Sequence, residues 1–372
     1  MPKAFSTYLD AVRFLAAMLV VIAHVTFKQF TGGLFAYQGS LAAIAVTAFF
    51  VLSGYVIAYV ANEKERTLQE FSISRAARVY SVAIPALLLT MAIDLGGHAL
   101  GAPWQLPMYE YNGIWKYLPV ILTFTNEIGT LHVPVFSDAP FWSLSYEVWY
   151  YVAFGIAFYL RGWLRIVLLF LAVIALGIPA LVYFPIWLGG VGVYYLHRRT
   201  RLPRGVAAVF AILSLAAIVL VRVSGFDDWM DVRVNTALGG WPFAHLNNSM
   251  HFSTHYLVGA LFALNLYAVR FCRIEALALP LLRRPITYLA SFTFALYLAH
   301  LPLLYLWSFV IGANGKSAPK MAVLLVLVTA SVWVFGLISE HRKRQWRVLI
   351  KALFAAVGIK KPPAEGLALE NS

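Results

Sequence analysis

Residues 9–25 read LDAVRFLAAMLVVIAHV, and the reading of that stretch governs the rest of the chain. It is apolar enough to run through a bilayer, yet it carries Asp10, Arg13 and His24. Ionisable side chains are costly in hydrocarbon, so within a span each is by default a candidate for function. Arg13 and His24 stand eleven residues apart. At about 100° and 1.5 Å per residue they share one helical face, about 16 Å apart along the axis. One helix therefore presents a guanidinium near one membrane surface and an imidazole much deeper.

Composition extends this reading outward. Of 372 residues, 61% are hydrophobic and only 12% charged, against roughly a quarter charged in soluble proteins. The expected fold class is an all-α polytopic integral membrane protein with about ten transmembrane helices. The spans fall approximately at 8–27, 41–61, 80–96, 140–160, 164–184, 186–197, 205–221, 254–271, 287–309 and 319–339. With the N-terminus inside, 22 basic residues lie in inner segments, six in outer segments, and Arg13 within a span. Such an imbalance places both termini on the cytoplasmic side. The net charge of +13 is then topology, with attraction to anionic lipid, rather than a nucleic-acid surface. The single Cys272 leaves no intramolecular disulfide and no thiolate metal cluster. No cleavage site follows the first apolar run, which is expected to remain as helix one. Residues 1–345 are read as a transmembrane domain and 346–372 as a cytoplasmic C-terminal tail.

Further along, Ser53 and Gly54 form a small pair in the second span, read as a close helix contact. Arg75 and Arg78, at i and i+3, share a face at the entrance of span three. They are either positive-inside anchors or a clamp for phosphate or carboxylate. The connection 97–139 is rich in aromatic residues and prolines. Its rings suit stacking on sugars or an interfacial belt, and 117–126 could enter the bilayer if protein covers it. Glu147 sits about a third of the way into span four, a depth comparable with His24, so an imidazole is a plausible partner; a structural hydrogen bond is the alternative. Gly189, Gly190 and Gly192 mark span six as bent or closely packed. Asp227, Asp228, Asp231, His245, His251 and His255 match no compact metal motif, so the loop residues read as solvated and no metal is expected. His300 lies just outward of the bilayer centre with Tyr297 one turn earlier, and Glu340 with HRKRQWR reads as a stop signal and anchor.

These stretches together resemble the membrane acyltransferase family 3, the group of bacterial O-antigen, exopolysaccharide and peptidoglycan acyltransferases. The resemblance covers about residues 5–345. The family's pattern of an arginine, ten residues and a histidine is met by Arg13 and His24. FFVLSGYVIAY at 49–59 is similar to its second-helix signature, and SRAARVY at 74–80 holds its paired arginines as Arg75 and Arg78. FWSLSYEVWYY at 141–151 carries its glutamate as Glu147, and FALYLAHLPLL at 294–304 its late tyrosine and histidine as Tyr297 and His300.

The resemblance implies a membrane O-acyltransferase moving an acyl group, most simply acetyl, from cytoplasmic acyl-CoA to a hydroxyl of a cell-envelope or exported carbohydrate. His24 is then general base or transient acyl carrier, with Glu147 orienting it in the manner of a triad acid. Arg13, Arg75 and Arg78 hold the phosphates of CoA; Asp10, Tyr297 and His300 are secondary site residues. A bacterial inner membrane, a carbohydrate or glycolipid acceptor and polysaccharide-biosynthesis partners go with that reading. No hydrolase-like domain follows the last span, so the membrane domain is expected to complete the transfer alone or with a partner. A proton- or substrate-coupled transporter is the alternative that the buried charges alone would permit; no inverted repeat supports it.

Overall fold

The computed structural model describes residues 1–33, 38–104, 115–129 and 131–356. The loop aromatics Tyr109 and Tyr111 and the tail from 357 onward lie outside the described residues, among which the structure is helical throughout. The helices are α1 (Lys3–Val25), α2 (Lys28–Thr31), α3 (Gly39–Glu63), α4 (Leu68–Ala99), α5 (Leu118–Leu122), α6 (Phe141–Tyr159), α7 (Gly162–Arg199), α8 (Arg204–Val223), α9 (Phe226–Ala237), α10 (Trp241–His245), α11 (Phe252–Val269), α12 (Pro280–Ala290), α13 (Thr293–Ile311), α14 (Ala318–Ile338) and α15 (Lys343–Ala356). Eight helices among the described residues are long and apolar enough to cross a membrane. Of the rest, α6 has 19 residues, about 28 Å, and packs beside α7.

Helix α7 is two spans. As one straight helix its 38 residues would reach about 57 Å, yet both ends lie at the same end of the molecule. Tyr159, just before it, hydrogen-bonds the Glu65 carbonyl, and Tyr194 and Arg198, at its close, meet Glu63. The chain folds back at Gly177, whose φ of 68° is a conformation that glycine adopts without steric cost. The Gly129 backbone lies where a Gly177 side chain would go. This corrects the expected division of spans five and six between 184 and 186. Proline marks a break in sequence, but Pro179 and Pro185 are both accommodated inside the second arm, and the reversal is made by the glycine.

Helix α3 lies at the centre, against α1, α7 and α11. The Ser53–Gly54 pair does provide a close contact. A β-carbon on Gly54 would overlap the Trp187 carbonyl, and one on Gly190 the Val51 carbonyl. Small residues are the usual way for helices to gain packing in lipid, where burial against a neighbour replaces burial against equally apolar acyl chains. The lipid-facing rim is correspondingly apolar: Phe170 is 64% exposed, Leu220 66% and Val326 67%.

The end where Glu63, Glu65 and Arg198 meet also holds Arg75, Lys343 and α15. We call it the basic end. Helix α15 lays Ile350, with Trp346 and Phe354, on Ile73 and Ala77 of α4, while Val348, Leu349 and Leu353 stay exposed among Arg344, Arg347 and Lys351. That is the pattern of a helix lying in a membrane interface.

Candidate active site

A cavity of about 350 Å³ opens among α1, α3, α4, α6, α12, α13 and the start of α15. Asp10, Arg13, Arg75, Arg78, His341 and Lys343 line it toward the basic end. Phe49, Phe50, Leu144, Phe294 and Tyr297 line its deeper part. Six of the eight sequence-chosen residues therefore converge: Asp10, Arg13, Arg75, Arg78, Glu147 and Tyr297.

The two paired arginines differ in what they can still bind. The Arg75 guanidinium donates to Glu65 Oε1 at 2.9 Å in a largely buried ion pair. Arg78 has no carboxylate within salt-bridge distance among the described residues. Arg13 makes a longer pair with Asp10 at 3.4 Å, both side chains about one-fifth exposed, and Thr287 donates to the other Asp10 oxygen at 3.5 Å. The cavity thus has two guanidiniums, Arg78 and Arg13, with capacity for an anion, and a third that is already held by a carboxylate.

His24 and His300 do not line the cavity. They pair with each other, His24 Nδ1 and His300 Nε2 being 2.7 Å apart with the rings stacked at 5.0 Å. His300 is fully buried, and its Nδ1 lies 2.8 Å from the Leu296 carbonyl oxygen. A carbonyl only accepts, so His300 carries its proton on Nδ1. Its Nε2 then holds a lone pair, which accepts the Nδ1–H of His24. The hydrogen bonds thereby assign both tautomers, and His24 Nε2 is left with a free lone pair and no hydrogen-bond partner among the described residues.

This arrangement corrects the expected partner of His24. Glu147 accepts a hydrogen bond from Tyr151, one turn along α6, and faces the cavity within electrostatic range of Arg78. The side chain that meets His24 Nδ1 is His300. Tyr297, one turn before His300 on α13, shares a 2.7 Å hydrogen bond with Ser143 and donates to the Pro140 carbonyl at 3.2 Å. With Phe49 edge-on to its ring at 5.5 Å, it closes the deep end of the cavity one helical turn short of the histidines.

Several lining residues escaped the sequence reading. Glu340, read as part of a stop signal, accepts from the backbone N–H groups of Phe294 and Ala295 at 3.2 and 3.0 Å. It caps the start of α13 from a distant part of the chain, a contact no local spacing announces. Ser143, in the same FWSLS string that leads to Glu147, lines the cavity with it. Ser53 serves structure: it is hydrogen-bonded by Trp187 at 3.1 Å and paired with Tyr151 at 3.1 Å.

In the second long connection, Asp227 and Asp231 are buried rather than solvated. Burial pushes the Asp231 carboxyl up, but hydrogen bonds from His251, Ser253 and the Thr254 amide outweigh it and leave the group below its ordinary value. Among the described residues no three His, Cys, Asp or Glu side chains converge as a metal ligand set.

A family model described as an acyltransferase domain, of the acyltransferase 3 type, matches residues 6–340. The acyltransferase MdmB of Streptomyces mycarofaciens is 28% identical over 165 residues, which is 43% of this chain and 39% of that relative's length. No solved structure matches.

Proposed function

The chain belongs to the acyltransferase 3 family, and from that premise we propose that it transfers an acyl group, most simply acetyl, from acyl-CoA to a hydroxyl of a cell-envelope or exported carbohydrate at a bacterial inner membrane. The observation that carries this reading is the order of features along one path. A mouth with two available guanidiniums leads into an apolar passage, and the passage ends one helical turn from an oriented imidazole.

In this scheme Arg78 and Arg13, with Lys343 beside them, hold the phosphates of CoA, for which planar guanidinium forks are suited. The narrow pantetheine arm follows the apolar wall, and the thioester passes the Tyr297–Ser143 hydrogen bond to reach His24. His24 Nε2 takes the proton of the acceptor hydroxyl as its oxygen attacks the thioester carbonyl carbon. The carbon–sulfur bond then breaks, and the leaving thiolate recovers the proton from His24. His300 fixes the imidazole through Nδ1, the part a carboxylate plays in a serine hydrolase triad. Protein and lipid around the pair exclude bulk water and so limit hydrolysis of the thioester.

Binding of acetyl-CoA to the purified protein tests the donor half. Arg78→Ala is expected to weaken binding by tenfold or more and Arg13→Ala by a smaller factor, while His24→Ala binds as the parent does. Equal binding by Arg78→Ala and the parent would contradict the assignment.

A further inference from the structure

The transfer scheme leaves unused a second polar cluster, at the end of the molecule opposite the basic mouth. Asp138 is 1% exposed, and neither of its carboxyl oxygens has a hydrogen-bond partner among the described residues; the buried Thr90 hydroxyl is unpartnered there too. Beside it, Asp94 accepts the Ser137 backbone N–H at 2.8 Å on one oxygen and the Trp104 indole N–H at 3.2 Å on the other. Burial, reinforced by the Asp94 carboxylate, pushes Asp138 well above the ordinary carboxyl range. A buried carboxyl left without any partner is costly, so this one is expected to serve a ligand.

Aromatic rings surround the cluster and connect it to the catalytic imidazole. Trp104 packs against Tyr305 at 5.6 Å and Phe309 at 5.4 Å, and it lies over Gly97, where any side chain would strike its ring. Tyr305 accepts a hydrogen bond from Gln29 at 2.7 Å at an exposed position and meets Phe30 edge-on at 5.2 Å. Phe30 stacks on Phe27, which meets His24 edge-on at 5.1 Å. Asp138 is also within electrostatic range of the Tyr297 hydroxyl. The cluster is thus joined to His24 through four rings in turn, Trp104, Tyr305, Phe30 and Phe27, with its open edge at Trp104, Tyr305 and Gln29.

Carboxyl oxygens and hydroxyls that can pair with neighbouring hydroxyls, beside an aromatic face that can cover C–H bonds, form a recognition set for a polyol ring. We propose that Asp138 and Asp94, with Trp104, form the hydroxyl-recognition site for the carbohydrate acceptor. This rests on the acyl-transfer reading and adds to it where the acceptor is held. Asp138 and Trp104 are binding residues, and His24 remains the proton acceptor.

The test is steady-state transfer from labelled acetyl-CoA to extracted envelope glycan by the full chain, with acceptor concentration varied, alongside acetyl-CoA binding. Asp138→Asn keeps shape and Trp104→Phe keeps an aromatic face while losing the indole N–H; both are expected to raise the acceptor KM tenfold or more while acetyl-CoA affinity stays within twofold of the parent. An unchanged acceptor KM in both variants, or a loss of acetyl-CoA binding in step with transfer, overturns the site while leaving the acyl-transfer reading standing. Binding of radioactive calcium by the parent but not by Asp138→Asn would make this a cation site and overturn the proposal. A parent that neither binds acetyl-CoA nor moves label overturns the acyl-transfer reading and the acceptor site together.

Discussion

His24 and His300 occupy one hydrogen-bonded line that begins at a backbone carbonyl and ends at a free lone pair. Each link sets the next: the Leu296 carbonyl fixes the His300 tautomer, and His300 fixes that of His24. Removing a positioned base costs about 10²–10⁴-fold in rate, so His24→Gln is expected to lose at least 10²-fold in kcat. His300→Ala should fall nearly as far, whereas His300→Gln should recover part of the rate, because its amide oxygen can accept the His24 Nδ1–H. Equal loss in the two His300 variants would mean that His300 serves packing alone. Arg75 and Arg78 separate by the opposite criterion. Arg75→Ala strands Glu65 and is expected to cost about 3 kcal/mol of stability, as breaking a buried pair does; a thermal-unfolding midpoint that matches the parent's would refute this. Sequence spacing could treat those arginines only as equals, since the carboxylate that distinguishes them is ten residues away, before α4. The same limit explains Glu147. Its depth in the span was legible, but the tyrosine one turn on, which claims its hydrogen bond, is a matter of rotamer and was not.

Among the elements, the contact between α3 and α7 is the one the architecture can least alter. Gly54 and Gly190 each face a backbone carbonyl of the other helix with no room for a methyl group. Overpacking costs about 1–3 kcal/mol where side chains can yield, and here only backbone could. Gly190→Ala is therefore expected to lower the unfolding midpoint or abolish accumulation of folded protein, while Gly189→Ala, at a position open to solvent or lipid, leaves both unchanged. Similar effects from both substitutions would refute the packing argument. The glycines of this segment were legible as a sign of close packing. The location of the reversal was not, because the backbone conformation at Gly177 depends on the approach of Gly129 from a loop nearly fifty residues earlier.

At the scale of the whole molecule, the all-α polytopic class and the clustering of cations at one end could be read from hydropathy and charge, because lipid imposes those patterns on each segment separately. What required the fold was the order of polar groups along the molecule: guanidiniums and cavity toward the basic end, histidines deeper, and the Asp94–Asp138 cluster beyond. The proposed direction of transfer requires the basic end to face the cytoplasm. In a Cys272→Ser background, Arg273→Cys is expected to react with a membrane-impermeant maleimide only after the cells are opened, and Ser224→Cys before. The reverse pattern would turn the protein over and place the donor cavity on the wrong side.

The most direct test of the central claim is transfer of label from acetyl-CoA to envelope glycan by membranes containing the parent or His24→Ala. The account predicts label in the glycan with the parent and none above background with His24→Ala, although that variant still binds acetyl-CoA. Undiminished labelling by His24→Ala would contradict it.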